Sequence, residues 1–219
     1  MRQDPDLSFE MPLWSSGLLA AGLDEAGRGA WAGPVSAGAV ILPSDPGILE
    51  RLKGVRDSKQ MTPRQRFSWA AKIKNTVLAW GIGYASNQEI DSIGILPATR
   101  LAMLRALAML SIQPRHLLVD ALRLKESGLP QTAIIRGDSR CLSIAAASVL
   151  AKTGRDALMA ELALAFPGYG LEQHKGYGTA RHRQAMCDLG LSPLHRRSYA
   201  PCRALEEGGS RANTGSNDS

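Results

Sequence analysis

The 219 residues are 44% hydrophobic and 21% charged, ordinary values for one soluble globular domain with a sizeable core. No apolar run reaches the length of a membrane span, and the opening MRQDPDLSFEMPLWSS lacks the basic-then-apolar order of a secretion signal, so a cytoplasmic protein is expected. The net charge of +6 is concentrated in residues 17–202, which hold 23 basic and 14 acidic side chains; such a body suits a polyanionic partner, most commonly nucleic acid. Cys141, Cys187 and Cys202 are odd in number and lack CxxC spacing, so neither a disulfide framework nor a zinc site is expected.

In chain order, residues 1–16 read as an N-terminal extension. SGLLAAGLDEA, PVSAGAVILP and TVLAWGIGYAS then follow as short apolar runs bounded by turn residues, expected to be three linked antiparallel strands. TPRQRFSWAAKIKN, before the third run, has helical spacing through Phe67, Ala70, Ala71 and Ile73. PATRLAMLRALAML predicts a second helix, with Pro97 in its first turn. RHLLVDAL and TAIIRGD are brief apolar runs ending at acids and read as buried strands. SIAAASVLAKTGRDALMAELALAF predicts a long helix with Ser143 as its N-cap. Residues 203–219 are rich in Gly, Ser and Asn and read as a disordered tail. Three linked strands followed by alternating helix and strand imply an α/β domain over residues 17–202 with a mixed sheet.

Asp24, Glu25, Asp120 and Asp138 sit at or just beyond strand ends, where open α/β sheets form their ligand crevice. If these strands adjoin, four carboxylates converge and require a cation to stay ionised. All-oxygen ligands suit Mg²⁺ or Mn²⁺, and two such ions can clamp both oxygens of a phosphodiester under displacement. One geometric difficulty attaches to Asp24 and Glu25. Successive residues of a strand face opposite ways, so both reach one site only if the strand ends or bulges there.

GLDEAGRGAWAGPVSAGAVIL, VRDSKQMTPRQR, LLVDAL, RGDSRCLSIAAASVLAKTGRD, GYGLEQHKGYGT and SPLHRRSYAP, in this order, closely resemble bacterial ribonuclease HII over residues 19–202. The resemblance implies a ribonuclease H-like fold, a mixed five-stranded sheet flanked by helices with a C-terminal helical extension. It implies a monomeric endonuclease cutting 5′ to ribonucleotides in RNA–DNA hybrids or singly embedded in duplex DNA. By motif, Asp24, Glu25, Asp120 and Asp138 would be the catalytic metal ligands for Mn²⁺ or Mg²⁺. Gly27, Arg28 and Gly29 match the element that contacts the ribonucleotide around its 2′-hydroxyl. Tyr177 matches the tyrosine that stacks on the next, deoxy, sugar, with Tyr169 in PGYGL as its rival.

Lys59 and the basic HRRS, with His195, Arg196 and Arg197, read as phosphate contacts or as solvated surface charge. His174 lies near the site or caps a loop, and Asp156 reads as structural. The chain departs from the family pattern at Arg140-Cys141 in place of Lys-Ser, at Gly94 in place of Asn, and at Ala30-Trp31 in place of Pro-Leu, none of which removes an acid. Ribonuclease HIII shares the four-acid plan but usually carries an N-terminal substrate-binding domain, for which the stretch before GLLAAGLDEA leaves no room. A hybrid-binding module without catalysis is a rival of another class, disfavoured because carboxylates beside phosphates weaken simple binding.

Overall fold

The structure, a computed structural model, describes residues 4–213, with side chains through Glu207. A short helix α1 (Glu10–Ser15) leads into β1 (Ala20–Ala26) and β2 (Val35–Ile41), followed by α2 (Ile48–Arg51) and α3 (Pro63–Thr76). Then come β3 (Ala79–Ala85), α4 (Asn87–Ile93), α5 (Ile95–Ala108), β4 (His116–Asp120), β5 (Gln131–Ile134) and α6 (Leu142–Ala165). The C-terminal part is helical: α7 (Leu171–His174), α8 (Ala180–Leu189) and α9 (Ala200–Asn213). The five strands form one sheet in the order β3-β2-β1-β4-β5, antiparallel among the first three and parallel from β1 to β5.

Period-two alternation decides which helix each strand residue meets. Ala21, Leu23, Ala37 and Ile41 pack on one face against Ala98, Ala102, Met103 and Ala106 of α5. Val40 and Leu42 face the other way, against Ala146, Val149 and Leu150 of α6. The small residues of β2 let α6 approach its backbone closely: a Cβ at Gly38 would stand 2.3 Å from the carbonyl oxygen of Ala147. Helix α3 is held at its start by a capping box, in which Thr62 Oγ1 accepts from the Gln65 N–H and Gln65 Oε1 accepts from the Thr62 N–H.

Two expectations are corrected here, at the start of α6 and in the C-terminal tail. The N-terminal extension packs on the domain: Leu7 joins the core under α6, and Glu10 is buried at the start of that helix. Glu10 Oε1 accepts from the Ser143 N–H at 2.8 Å and from the Cys141 thiol. Cys141, not Ser143, is therefore the N-cap position, and the orphan amide is satisfied by a carboxylate 133 residues away in sequence. At the other end, α9 runs on to Asn213, where a disordered tail was expected from residue 203; Cys202 is buried, Leu205 is half-buried one turn later, and Arg197 pairs with Glu206. Residues 214–219 of that expected tail lie outside the described residues.

Candidate active site

β1 and β4 run parallel with Leu23 opposite Val119, so Asp24 and Asp120 come one step later at the same level of the sheet. Asp138 arrives from a 3-10 turn after β5, Gly137–Ser139, which the chain enters through Arg136 at φ 55°. The Gly137 N–H donates to Asp120 Oδ1 at 2.8 Å and ties that turn to the end of β4. One carboxylate oxygen from each of Asp24, Asp120 and Asp138 lies within 4.8 Å of the other two.

Glu25 does not join this group. The β1–β2 ladder continues through Asp24↔Gly38, Glu25↔Ala37 and Ala26↔Ser36, so the strand neither ends nor bulges at the acid pair. Alternation then turns Asp24 to the α6 face and Glu25 to the α5 face, where Glu25 Oε1 accepts from Arg28 at 3.0 Å. Its Oε2 is buried with no hydrogen-bond partner among the described residues.

Burial raises the Asp24 carboxyl well above its usual range, and the charges of Glu25 and Asp120 push the same way. Burial also raises Asp120, against the pull of the Gly137 N–H, and raises Asp138, helped by Asp57 and Asp120. Lys59 Nζ stands 3.8 Å from Asp138 Oδ2 at the rim. Burial works against its charge, but Asp24, Asp57, Asp138 and Glu25 outweigh it, and the Lys59 pKa is raised. One exposed ammonium does not neutralise three clustered acids. The donor set is entirely carboxylate oxygen, and these three residues fit a hard divalent cation.

A cavity of about 480 Å³ is lined by Glu25, the 27–29 loop, Lys59, Lys152 and Tyr177, and Lys59 connects it to the cluster through Asp138. A second cavity of about 580 Å³, lined by Phe67, Arg66 and Lys175 among others, shares Lys152 and Tyr177 with the first. Tyr177 thus stands in the wall between them, with Lys152 Nζ 5.2 Å and Arg155 Cζ 5.4 Å from its ring centre. Tyr169 lies elsewhere: it is buried, and its hydroxyl donates to the Gly190 carbonyl at 3.0 Å.

The sequence model of the ribonuclease HII family matches residues 21–202. A ribonuclease HII of Dehalococcoides mccartyi is 50% identical over 196 residues, covering 87% of this chain and 90% of its own. One from a Synechococcus species is 53% identical over 207 residues, covering 93% and 92%. Among solved structures, ribonuclease H2 of Pyrococcus horikoshii superposes with a TM-score of 0.73 at 28% identity, over 89% of this chain and all of that one. The chain belongs to the ribonuclease HII family. It is an endoribonuclease of the ribonuclease H type, and its substrates are nucleic acids. Among the described residues no helix is long and apolar enough to cross a membrane.

Within this ribonuclease HII chain His195 and Arg196 of the basic HRRS stretch are buried, at odds with both the phosphate-contact and the solvated-charge readings. Arg196 is fully buried, and its guanidinium donates to the carbonyls of Gly27, Arg28 and Gly33, so it does not reach a phosphate. Arg197 is exposed and pairs with Glu206, as a surface charge does. A buried arginine that sequence reasoning missed is Arg155 in α6. It donates to Pro34 O, Ala32 O and Lys175 O, and burial lowers its pKa to about 10. The available signal was its spacing, four residues from both Ala151 and Met159 on the buried stripe of the helix. Asp156, next to it, is structural as expected, accepting from Arg66 at 3.1 Å and Lys152 at 2.6 Å.

Three histidines hold the Tyr177 loop. His174 caps it, with Nδ1 accepting from the Gly176 N–H and Nε2 bonded to Tyr169 O. The Ser192 N–H must donate to His195 Nδ1, which leaves the His195 proton on Nε2, 3.1 Å from His182 Nε2. His182 then carries its proton on Nδ1 and donates it to the Tyr177 carbonyl at 3.1 Å. Burial, with the charges of His174 and His195 adding to it, lowers His182 to about 4 against the opposing pull of that carbonyl. The unfolded chain takes up this proton near pH 6.5, so the stability tied to neutral His182 is lost as pH falls from about 6.5 to about 4. At pH 4.5 the loss is on the order of 2–3 kcal/mol. In chelator, the urea midpoint of wild type is expected to drop more steeply between pH 7 and 4.5 than that of His182→Gln. Parallel curves would remove His182 from the acid response.

Proposed function

We propose that the enzyme hydrolyses the phosphodiester on the 5′ side of a ribonucleotide, either in an RNA–DNA hybrid or singly embedded in duplex DNA. This activity serves removal of ribonucleotides from DNA, and the enzyme acts as a monomer in the cytoplasm. Asp24, Asp120 and Asp138, with Glu25 reaching in from the adjoining face, would hold two divalent cations, Mg²⁺ or Mn²⁺. When bound, the ions stabilise charge on the attacking and leaving oxygens. The observation that carries this reading is one cavity lined by Glu25, the 27–29 loop, Lys59 and Tyr177, with Lys59 Nζ in turn 3.8 Å from Asp138 of the acid cluster.

The chain's own residues do the recognition. The 27–29 backbone reads the 2′-hydroxyl, the group that marks one ribonucleotide among deoxynucleotides. Tyr177 stacks on the following deoxy sugar, and Lys59 and Lys152 offer charge to the backbone phosphates without reading sequence. The test is a duplex with one central ribonucleotide, incubated with Mg²⁺, Mn²⁺ or chelator, and the cut mapped. A single cut 5′ to the ribonucleotide, dependent on metal, is expected. Retention without cleavage would favour a hybrid-binding module, and cleavage confined to continuous hybrids would remove the single-ribonucleotide substrate.

A further inference from the structure

Arg196 contributes neither to the metal cluster nor to the cavity wall, yet it is among the largest fully buried side chains. Its Nε donates to Gly33 O at 3.0 Å, one terminal nitrogen to Gly27 O at 2.8 Å, and the other to Arg28 O at 2.8 Å and the Tyr199 hydroxyl at 3.0 Å. Tyr199 donates in turn to Arg28 O at 2.6 Å. A planar fork therefore grips the carbonyls of two consecutive peptides from behind the loop.

In a trans peptide the N–H points opposite to the C=O, and the structure has no cis peptide among the described residues. With the Gly27 and Arg28 carbonyls drawn inward, the N–H groups of Arg28 and Gly29 are turned outward. Neither donates to a backbone acceptor among the described residues. The space in front of Gly29 is open, and both residues line the cavity together with Glu25 and Lys59. Behind Gly27, at φ +93°, Arg155 leaves no room for any other residue: a Cβ there would stand 2.0 Å from Arg155 Nε.

We infer that Arg196 is a positioning residue for sugar discrimination: it presets the Arg28 and Gly29 amides as a donor pair that a ribose 2′-oxygen accepts and a deoxyribose leaves unpaired. The inference rests on the proposed reading of the 2′-hydroxyl by the 27–29 loop. Lysine at this position keeps a charge but offers a point rather than a fork, so it cannot hold both peptide planes.

The test measures binding in chelator, apart from catalysis, to two duplexes that differ only in one central ribonucleotide. Wild type is expected to prefer the ribonucleotide duplex by about tenfold or more, since leaving donors unpaired is costly. Arg196→Lys should bring that ratio close to one while changing affinity for the all-DNA duplex by less than about twofold. Tyr199→Phe, which removes one support of the Arg28 carbonyl and keeps the ring, should lower the ratio by a smaller factor; it provides the readout if Arg196→Lys does not fold. Amide exchange at Arg28 and Gly29 in wild type should slow with the ribonucleotide duplex and not with all-DNA. An undiminished ratio in either folded variant overturns the inference while leaving the 2′-hydroxyl reading intact. Equal weakening for both duplexes with a flatter salt dependence would return Arg196 to a phosphate contact. No preference in wild type would instead sink the reading beneath it.

Discussion

Asp24→Asn and Asp120→Asn are each expected to lower cleavage by about a thousand-fold or more in Mg²⁺ or Mn²⁺, while raising the melting temperature of the metal-free protein. The loss follows from removing one carboxylate from a cluster whose oxygens lie within 4.8 Å of one another. Transition-state charge stabilisation by bound metal is a matter of several kcal/mol, and about 4 kcal/mol corresponds to roughly a thousand-fold. The gain in stability follows from the sign of the pKa shifts. Asp24, Asp120 and Asp138 are all raised, chiefly by burial, so their favourable contribution is present below the unfolded pKa near 3.8 and is lost as pH rises through the folded values. Where these acids are ionised wild type carries that penalty, and an amide does not. In chelator at pH 7.5 the gain should be about 3–6 °C, and it should shrink toward zero as pH approaches 4. Glu25→Gln should also lose activity, yet gain less stability, because it gives up the ion pair with Arg28. Near-normal rates for Asp24→Asn across a metal titration would remove the cluster from catalysis, and a lower melting temperature at pH 7.5 would refute the electrostatic account.

The acids were legible because strand-ending carboxylates are a local pattern, and the parallel pairing of β1 with β4 then brings Asp24 and Asp120 to one level. The direction of Glu25 was not. It depends on whether the ladder persists to Ala26, which the two glycines downstream leave open and the pairing partner Ser36 decides. Arg196 and Arg155 were misjudged or missed for one physical reason. A guanidinium read from sequence belongs at the surface, because desolvation is costly unless acceptors are arranged around it. Those acceptors are the carbonyls of Gly27, Arg28, Gly33, Ala32, Pro34 and Lys175, brought together only by the folded chain. Glu10 is the same case at long range, since nothing near it in sequence announces a helix start at Leu142.

Tyr177→Ala is expected to cut activity on a single embedded ribonucleotide by about ten- to a hundred-fold, an aromatic stack being worth roughly 1–3 kcal/mol. The ring lines both cavities, and its backbone is fixed from below: His182 donates to the Tyr177 carbonyl, and Arg155 holds the carbonyl of Lys175. On the proposed reading, a ring so held presents a face to the sugar that follows the ribonucleotide, and a 2′-hydroxyl on that sugar would obstruct it. The loss should therefore be smaller on a continuous hybrid, where every following sugar carries that group and the stack is already poor. Tyr177→Phe keeps the face and should cost little on either substrate. Tyr169→Phe serves as the contrast: its hydroxyl bonds Gly190 O inside the C-terminal core, so the variant should lose stability and keep its junction preference. The comparison to make is the ratio of kcat/KM on the two substrates for each variant. Equal losses on both for Tyr177→Ala would reduce this residue to a support of the fold, and a junction-specific loss for Tyr169→Phe would move the sugar contact to the other tyrosine.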